Sequence, residues 1–358
     1  MNVSTLEWSI TIGVTIAVLL FDIIVVARKP HEPSIKECSI YLSIYVSMAV
    51  AFGLWVIYFH DGPGKDEDYG LQFFAGWLTE YSLSVDNLFI FLIIMASFKV
   101  PRKYQQEALL VGIIIAIVFR GIFIALGAVA INNFSWVFYI FGAFLLYTAI
   151  KLVADTDHDD DADNAVVKFA RKRFQLSEQW DGLKLIVKEN GKRAITPMFL
   201  VIIALGTTDL LFALDSIPAI YGLTKEPYLV FTANVFALMG LRQLYFLLGD
   251  LLKRLIYLSQ GLAFLLAFIG VKLVLHALHE NELPFINGGE HVPVWEIPTL
   301  LSLGVIVGTL SITAIVSLVV SGRRVRAGLN PDGTERTPEQ EAQEAAAAKE
   351  REDNRKQG

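Results

Sequence analysis

Charge is scarce in this chain. Only 18% of its 358 residues are Asp, Glu, Lys or Arg, against 54% hydrophobic residues, a balance that excludes a water-soluble enzyme and points to a polytopic membrane protein. Cysteine is nearly absent: Cys38 stands alone, which excludes an intramolecular disulfide and any thiolate metal cage. None of the six histidines lies at the depth of the acids described below, so soft-metal chemistry finds few ligands. The first apolar run lacks a basic n-region and a small-residue cleavage site and is too long for a signal-peptide core, so it is expected to stay in the membrane.

What the chain does have is nine apolar runs long enough to span a bilayer, at about 7–27, 38–59, 72–98, 106–130, 134–154, 194–220, 227–249, 255–278 and 296–320. The expected fold is therefore all-α, with nine transmembrane helices. Lys and Arg collect in alternate loops: around Arg28 and Lys36, around Lys99 to Lys103, in the long 155–193 loop, at Lys253 and Arg254, and in the tail. The opposite loops hold only Lys65 and Lys225. By the positive-inside rule the N-terminus is outside and the C-terminus cytoplasmic.

Two short stretches break the apolar monotony. Thr79-Glu80-Tyr81-Ser82-Leu83-Ser84-Val85-Asp86-Asn87 lies in span 3, and Thr208-Asp209-Leu210-Leu211-Phe212-Ala213-Leu214-Asp215-Ser216 in span 6. Each reads Thr, acid, five residues, Asp, then a small polar residue. A carboxylate at mid-bilayer costs about 2.5–3.5 kcal/mol on insertion scales, so it persists where it faces a cavity, a counter-charge or an ion. More falls into register behind them. Arg120 followed by Ala143-Phe144-Leu145-Leu146 and Lys151 matches Arg242 followed by Ala263-Phe264-Leu265-Leu266 and Lys272. Spans 3–5 and 6–8 thus share one plan, and because three is odd the two units are expected to be inverted repeats.

Residues six apart on a straight helix do not face one way, so Glu80 and Asp86 cannot both address one ion without local unwinding. Ser82, Ser84 and Pro218 loosen helices, and at least one of spans 3 and 6 is expected to be irregular there. The polar set near mid-membrane comprises Asp22, Glu80, Asp86, Asn87, Asp209, Asp215, Ser216 and Asn234, all hard oxygen donors suited to Mg²⁺, Ca²⁺ or Mn²⁺. Arg120 and Arg242 are the expected counter-ions when no cation is bound. Intramembrane Asp–Arg pairs that merely hold helices together are the competing reading, and Lys151 and Lys272 lie near helix ends where they snorkel.

These residues also carry a resemblance. Glu80 to Phe89, Phe98-Lys99-Val100-Pro101, Asp209 to Ala219 and Asn234 to Arg242 resemble the signature blocks of the TerC family of bacterial integral membrane proteins, in a match running from about Asp22 to Val274. The family is named for tellurium resistance, and its better-understood members are associated with manganese efflux. The resemblance implies a bacterial plasma-membrane exporter of a divalent cation, Mn²⁺ above all, with no resident cofactor. Gly206 is a departure, at a place where many members of that family carry Glu.

The remaining segments complete the layout: two N-terminal spans (1–60), the first repeat (72–154), a cytoplasmic loop (155–193), the second repeat (194–278), span nine (296–320) and a charged, disordered tail (321–358). In the loop, the acidic run 155–163 fails as an EF-hand, since Ala162 and Lys168 occupy the Gly and Glu positions. Residues 164–182 read as a basic amphipathic segment, and Asn190-Gly191 as the turn of a hairpin. An intramembrane aspartyl protease is disfavoured, because Gly206-Thr207-Thr208-Asp209 lacks the second glycine such enzymes carry, so no enzymatic activity is expected. The rival to transport is a non-transporting membrane scaffold or metal-stress component. Expected partners are the cation, the bilayer and other membrane proteins; nucleic acid is not among them.

Overall fold

A chain in hydrocarbon must satisfy its own backbone N–H and C=O groups, and a helix does so within one segment. The computed structural model describes residues 1, 3–28, 33–61, 68–134, 136–154, 177, 180, 184–189, 192–252, 254–281, 283–331 and 333–334. Among them, nine helical segments are long and apolar enough to cross a membrane. They are α1 (Thr5–Arg28), α2 (Ile35–His60), α3 (Tyr69–Ser97), α4 (Arg102–Asn133), α5 (Val137–Ala154), α6 (Pro197–Tyr221), α7 (Pro227–Met239) continued by α8 (Leu241–Leu252), α9 (Leu258–His279) and α10 (Thr299–Arg326).

Local sequence sets several ends. Ser34 caps α2 by accepting the Glu37 N–H, and Thr196 caps α6 by accepting the Phe199 N–H at 3.3 Å, with Pro197 in the first turn where its missing N–H costs nothing. The last helix runs on past 320 to Arg326, its final turn carrying Arg323, Arg324 and Arg326 at the negative end of the helix dipole.

The expected irregularity is not where the acids are. Helices α3 and α6 are continuous through both acidic stretches. Ser84 directs its hydroxyl to Glu80 Oε1 at 3.2 Å instead of loosening the backbone, and Pro218 sits in the last turn of α6, where little helix remains to break. The interruption falls instead in span 7, at Gly240, between α7 and α8.

Packing places α3 and α6 at the centre. Helix α3 packs on α2, α6, α7 and α10, while α4 packs on α6 and α7. Helices α5 and α9 form a pair of their own and cross at Gly142 and Gly270, where a Cβ on Gly142 would lie 2.9 Å from the Gly270 carbonyl oxygen and one on Gly270 would lie 3.0 Å from that of Gly142. Backbones that approach so closely need glycine. Helix α1 lies at the periphery and turns Ile12, Ile16 and Leu20 outward, a surface suited to lipid.

The hairpin is present as β1 (Ile186–Glu189) and β2 (Lys192–Ile195), antiparallel with Ile186 opposite Ile195. Its turn at 190–191 lies outside the described residues, as do the acidic run 155–163, loop residues 62–67 and the tail from 335. Of the segment 164–182, only Ser177 and Trp180 are described: the Ser177 N–H donates to the Ile195 carbonyl at 2.9 Å, and Trp180 stacks on Tyr104.

Candidate functional site

Arg120 is the hub of the membrane core. It stands in the middle of α4, is 1% exposed, and its guanidinium reaches four residues on three other helices. Nη1 pairs with Glu80 Oε1 of α3. Nε donates to Asp209 Oδ2 at 3.3 Å and Nη2 to Asp209 Oδ1 at 3.2 Å, both on α6. Nη1 also donates to Ser216 Oγ of α6 at 3.0 Å and to Asn234 Oδ1 of α7 at 2.8 Å. The Asn234 amide is held from behind, donating Nδ2–H to the Val230 carbonyl at 2.9 Å.

Helix geometry explains which polar residues gather here. Asp209 and Ser216 are seven apart, so on a straight α6 they share a face and both meet Arg120. Asp215 is six from Asp209 and points elsewhere: its Oδ1 accepts from Thr148 of α5 at 3.2 Å, and it is only half-buried. The side chain of Asp86, six from Glu80, lies outside the described ones. Asn87 is buried on α3 but is not bonded to Arg120. Gly206 faces Ile115 of α4, whose Cγ2 would be 3.3 Å from an added Cβ.

Asp22 and Arg242 make a separate pair. Arg242 Nη2 lies 3.2 Å from Asp22 Oδ1, which also accepts from the Tyr45 hydroxyl at 2.9 Å. Arg242, which matches Arg120 in the sequence register, thus serves a different acid from a different helix. Among the described residues, no group of three His, Cys, Asp or Glu side chains is arranged to hold a metal ion.

Two carboxylates facing one guanidinium leave a negative charge to be balanced, and Glu80 Oε2 and the neighbouring Thr79 Oγ1 are buried without a hydrogen-bond partner among the described residues. A buried carboxylate oxygen in that position accommodates a proton or a cation.

Several participants escaped the sequence reading. Thr148 is a hydroxyl of the kind that usually bonds back to its own helix, as Thr15 does to the Thr11 carbonyl, and Tyr45 reads in an apolar span as a packing aromatic. Glu107, buried near the start of α4 with an Oε2 that has no partner among the described residues, was passed over beside the longer acidic motifs.

Comparison with known proteins settles the family. The family model "Integral membrane protein TerC family" matches residues 65–325, a stretch that holds Glu80, Arg120, Asp209, Ser216 and Asn234. The chain belongs to the TerC family. Within it, the chain is 46% identical over 322 residues to "Uncharacterized membrane protein Rv2723" of Mycobacterium tuberculosis, covering 88% of this chain and 80% of the relative. To "Uncharacterized membrane protein STKORF319" of Myxococcus xanthus it is 35% identical over 315 residues, covering 88% and 92%. To "Putative membrane-bound redox modulator Alx" of Escherichia coli K12 it is 34% identical over 317 residues, covering 87% and 94%. No solved structure matches the chain. This TerC protein is an integral, multi-pass membrane protein.

Proposed function

We propose that this TerC protein is a secondary transporter that exports a divalent cation, Mn²⁺ first among candidates, through the Arg120 site. One observation carries the reading: two buried carboxylates from different three-helix units, Glu80 and Asp209, converge on one guanidinium with a carboxylate oxygen to spare. In the resting state Arg120 supplies the positive charge. An incoming cation displaces it and takes Glu80, Asp209, Ser216 Oγ and Asn234 Oδ1, an all-oxygen set that favours hard divalent ions. Asp86 and Asp215, the second acid of each stretch, stand about 9 Å further along the same helices and serve as the next carboxylates on the path.

The same reading takes the two units as inverted repeats. Support comes from the exchange of partners, α3 on α7 and α4 on α6, with α5 on α9, which is the pairing a two-fold axis in the membrane plane produces. The N-terminus is taken as outside and the C-terminus as cytoplasmic, from the distribution of Lys and Arg. The redox role in the Alx name finds no intramolecular thiol pair here, since Cys38 is alone.

Mn²⁺ uptake into inverted proteoliposomes tests the proposal. Wild type is expected to move Mn²⁺ down an imposed gradient in the presence of excess Mg²⁺, and Glu80→Gln and Asp209→Asn to abolish movement. Absence of flux from folded wild type under every gradient would overturn transport and favour the scaffold reading.

A further inference from the structure

Away from the Arg120 site, α8 carries a second buried ion pair just past the only break in a spanning segment among the described residues. Asp22 is 5% exposed and Arg242 6%, and the pair ties α8 to the far part of α1. Tyr45 of α2 joins it through its hydroxyl. Among the described residues Arg242 Nη1 is buried without a partner, although Gln243, with its amide oxygen turned toward the guanidinium, accepts from Nη2 at 3.0 Å. Among the described residues the pair is therefore less fully bonded than Arg120, each of whose three guanidinium nitrogens has a partner.

Two residues before Arg242, Gly240 separates α7 from α8; its φ of −83° and ψ of −10° stay in the right-handed region, so the break is one residue long. Its neighbours are Leu42 of α2 and Tyr81 of α3, whose hydroxyl would lie 3.5 Å from an added Cβ, and Tyr81 adjoins Glu80 in the chain. On one side of this break, α7 is anchored through Asn234 to Arg120; on the other, α8 is anchored through Arg242 to Asp22. Tyr245 of α8 bonds Gln105 at the start of α4 at 3.2 Å, so α8 lies toward the end of the molecule where α2 and α4 begin.

We infer that Asp22 and Arg242 are a latch, and that α8 swings on Gly240 to open the Arg120 site toward that end of the molecule. The inference rests on the transport reading for its purpose, but the motion is measurable without transport. Asp22 is then a gating acid rather than a ligand of the central site, and Arg242 holds the gate shut while Asn234, on the other side of the hinge, keeps its bond to Arg120. An approaching divalent cation competes with Arg242 for Asp22 and so favours opening.

The chain carries its own reporter. Cys38, the single cysteine, is 2% exposed and lines a small cavity between α2 and α8 with Tyr41, Gln106, Arg242, Gln243 and Phe246. The rate at which N-ethylmaleimide labels Cys38 in the full-length protein, reconstituted in lipid nanodiscs, therefore reads how often α8 leaves α2. Asp22→Asn and Arg242→Gln are each expected to label about tenfold or more faster than wild type. The exchange variant Asp22→Arg with Arg242→Asp is expected to return toward the slow rate, which a merely unfolded protein does not do. Gly240→Ala, made beside Leu42→Ala because its Cβ would otherwise lie 3.2 Å from Leu42 Cδ1 of α2, removes neither charge and is expected to label about fivefold more slowly than Leu42→Ala alone, because alanine favours a continuous helix.

Wild-type labelling rates in folded Asp22→Asn and Arg242→Gln would overturn the latch, and a rate in Gly240→Ala with Leu42→Ala equal to that of Leu42→Ala alone would overturn the hinge. Because labelling requires no ion gradient, a wild type that moves no Mn²⁺ but shows these rate changes would sink the transport reading alone. A wild type that moves Mn²⁺ without them would sink the latch alone.

Discussion

Arg120 of α4 and Asp209 of α6 meet as a fork, with Nε on one carboxylate oxygen at 3.3 Å and Nη2 on the other at 3.2 Å. Paired hydrogen bonds of this kind fix orientation as well as distance, so the guanidinium plane, and with it the Nη1 that reaches Glu80, Ser216 and Asn234, is set by α6. Removing the fork exposes its energetic weight. Arg120→Met leaves two buried carboxylates without their cation, and breaking a buried pair from one side costs about 3–5 kcal/mol. A markedly lower thermal midpoint in detergent is expected, with partial recovery when Glu80→Gln and Asp209→Asn are added to the same chain. Arg120→Lys is expected to resemble Met more than wild type, since a point charge cannot reproduce the fork.

Much of this arrangement was legible in the sequence. Carboxylates that cost free energy in hydrocarbon announce themselves, and the matched Thr-acid-Asp stretches named Glu80 and Asp209 before any geometry. The seven-residue spacing that puts Asp209 and Ser216 on one face of α6 follows from the helix alone. Partner choice was not legible. Arg120 and Arg242 occupy the same register in the two units, yet one holds Glu80 and Asp209 and the other Asp22 from α1, because α1 lies outside the repeated plan and supplies its acid to only one of them. The straightness of α3 and α6 was also hidden: the two acids that meet Arg120 are Glu80 and Asp209, one from each helix, so neither helix has to unwind to turn both of its own acids to one point. Gly240, an unremarkable residue in an apolar run, bears the break instead.

The separation of Asp215 from the hub leads to a graded outcome. Its described partner is Thr148 on α5, so Asp215→Asn leaves the Arg120 set intact. In the flux assay it is expected to slow Mn²⁺ movement less than Asp209→Asn does. Thr148→Val removes a single hydrogen bond and is expected to cost about 1–2 kcal/mol in stability. Equal loss of flux in the two Asp variants would show that the acids of α6 act as one unit.

Outside the spans, the Lys225–Glu280 pair ties the α6–α7 connection to the end of α9, with Lys225 Nζ 2.7 Å from both carboxylate oxygens. Burial alone pushes the Glu280 carboxyl up, but the Lys225 hydrogen bonds and the charges of His276, Lys225 and His279 outweigh it and hold it below the usual range. A carboxyl depressed in the folded state contributes stability above its unfolded pKa, and that contribution is lost as pH falls through the folded value. Wild type is therefore expected to lose slightly more thermal stability on acidification below the carboxylate range than Lys225→Met does. The difference is small because both groups are well exposed. Parallel melting curves across that pH window would remove the pair from the account.

The crossing of α5 and α9 gives the sharpest stability test, because the opposing atoms are backbone. A Cβ at Gly142 would lie 2.9 Å from the Gly270 carbonyl oxygen and 2.7 Å from Val274 Cγ2, and one at Gly270 would lie 3.0 Å from the Gly142 oxygen. A flexible side chain can give way, but a carbonyl fixed in a helix moves only with the helix. Even alanine at either position is therefore expected to push α5 and α9 apart, at a cost of about 1–3 kcal/mol for overpacking, and valine to cost more. Gly304, whose added Cβ meets nothing within 4 Å, is the control: alanine there is expected to be neutral or slightly stabilising through helix propensity. Thermal midpoints of Gly142→Ala, Gly270→Ala and Gly304→Ala, measured side by side in one detergent, separate the two effects. Equal midpoints for all three would mean that α5 and α9 do not meet backbone to backbone. That contact joins the last helix of the first unit to the last helix of the second, so its loss would also remove one of the three exchanges on which the two-fold reading of the transporter rests.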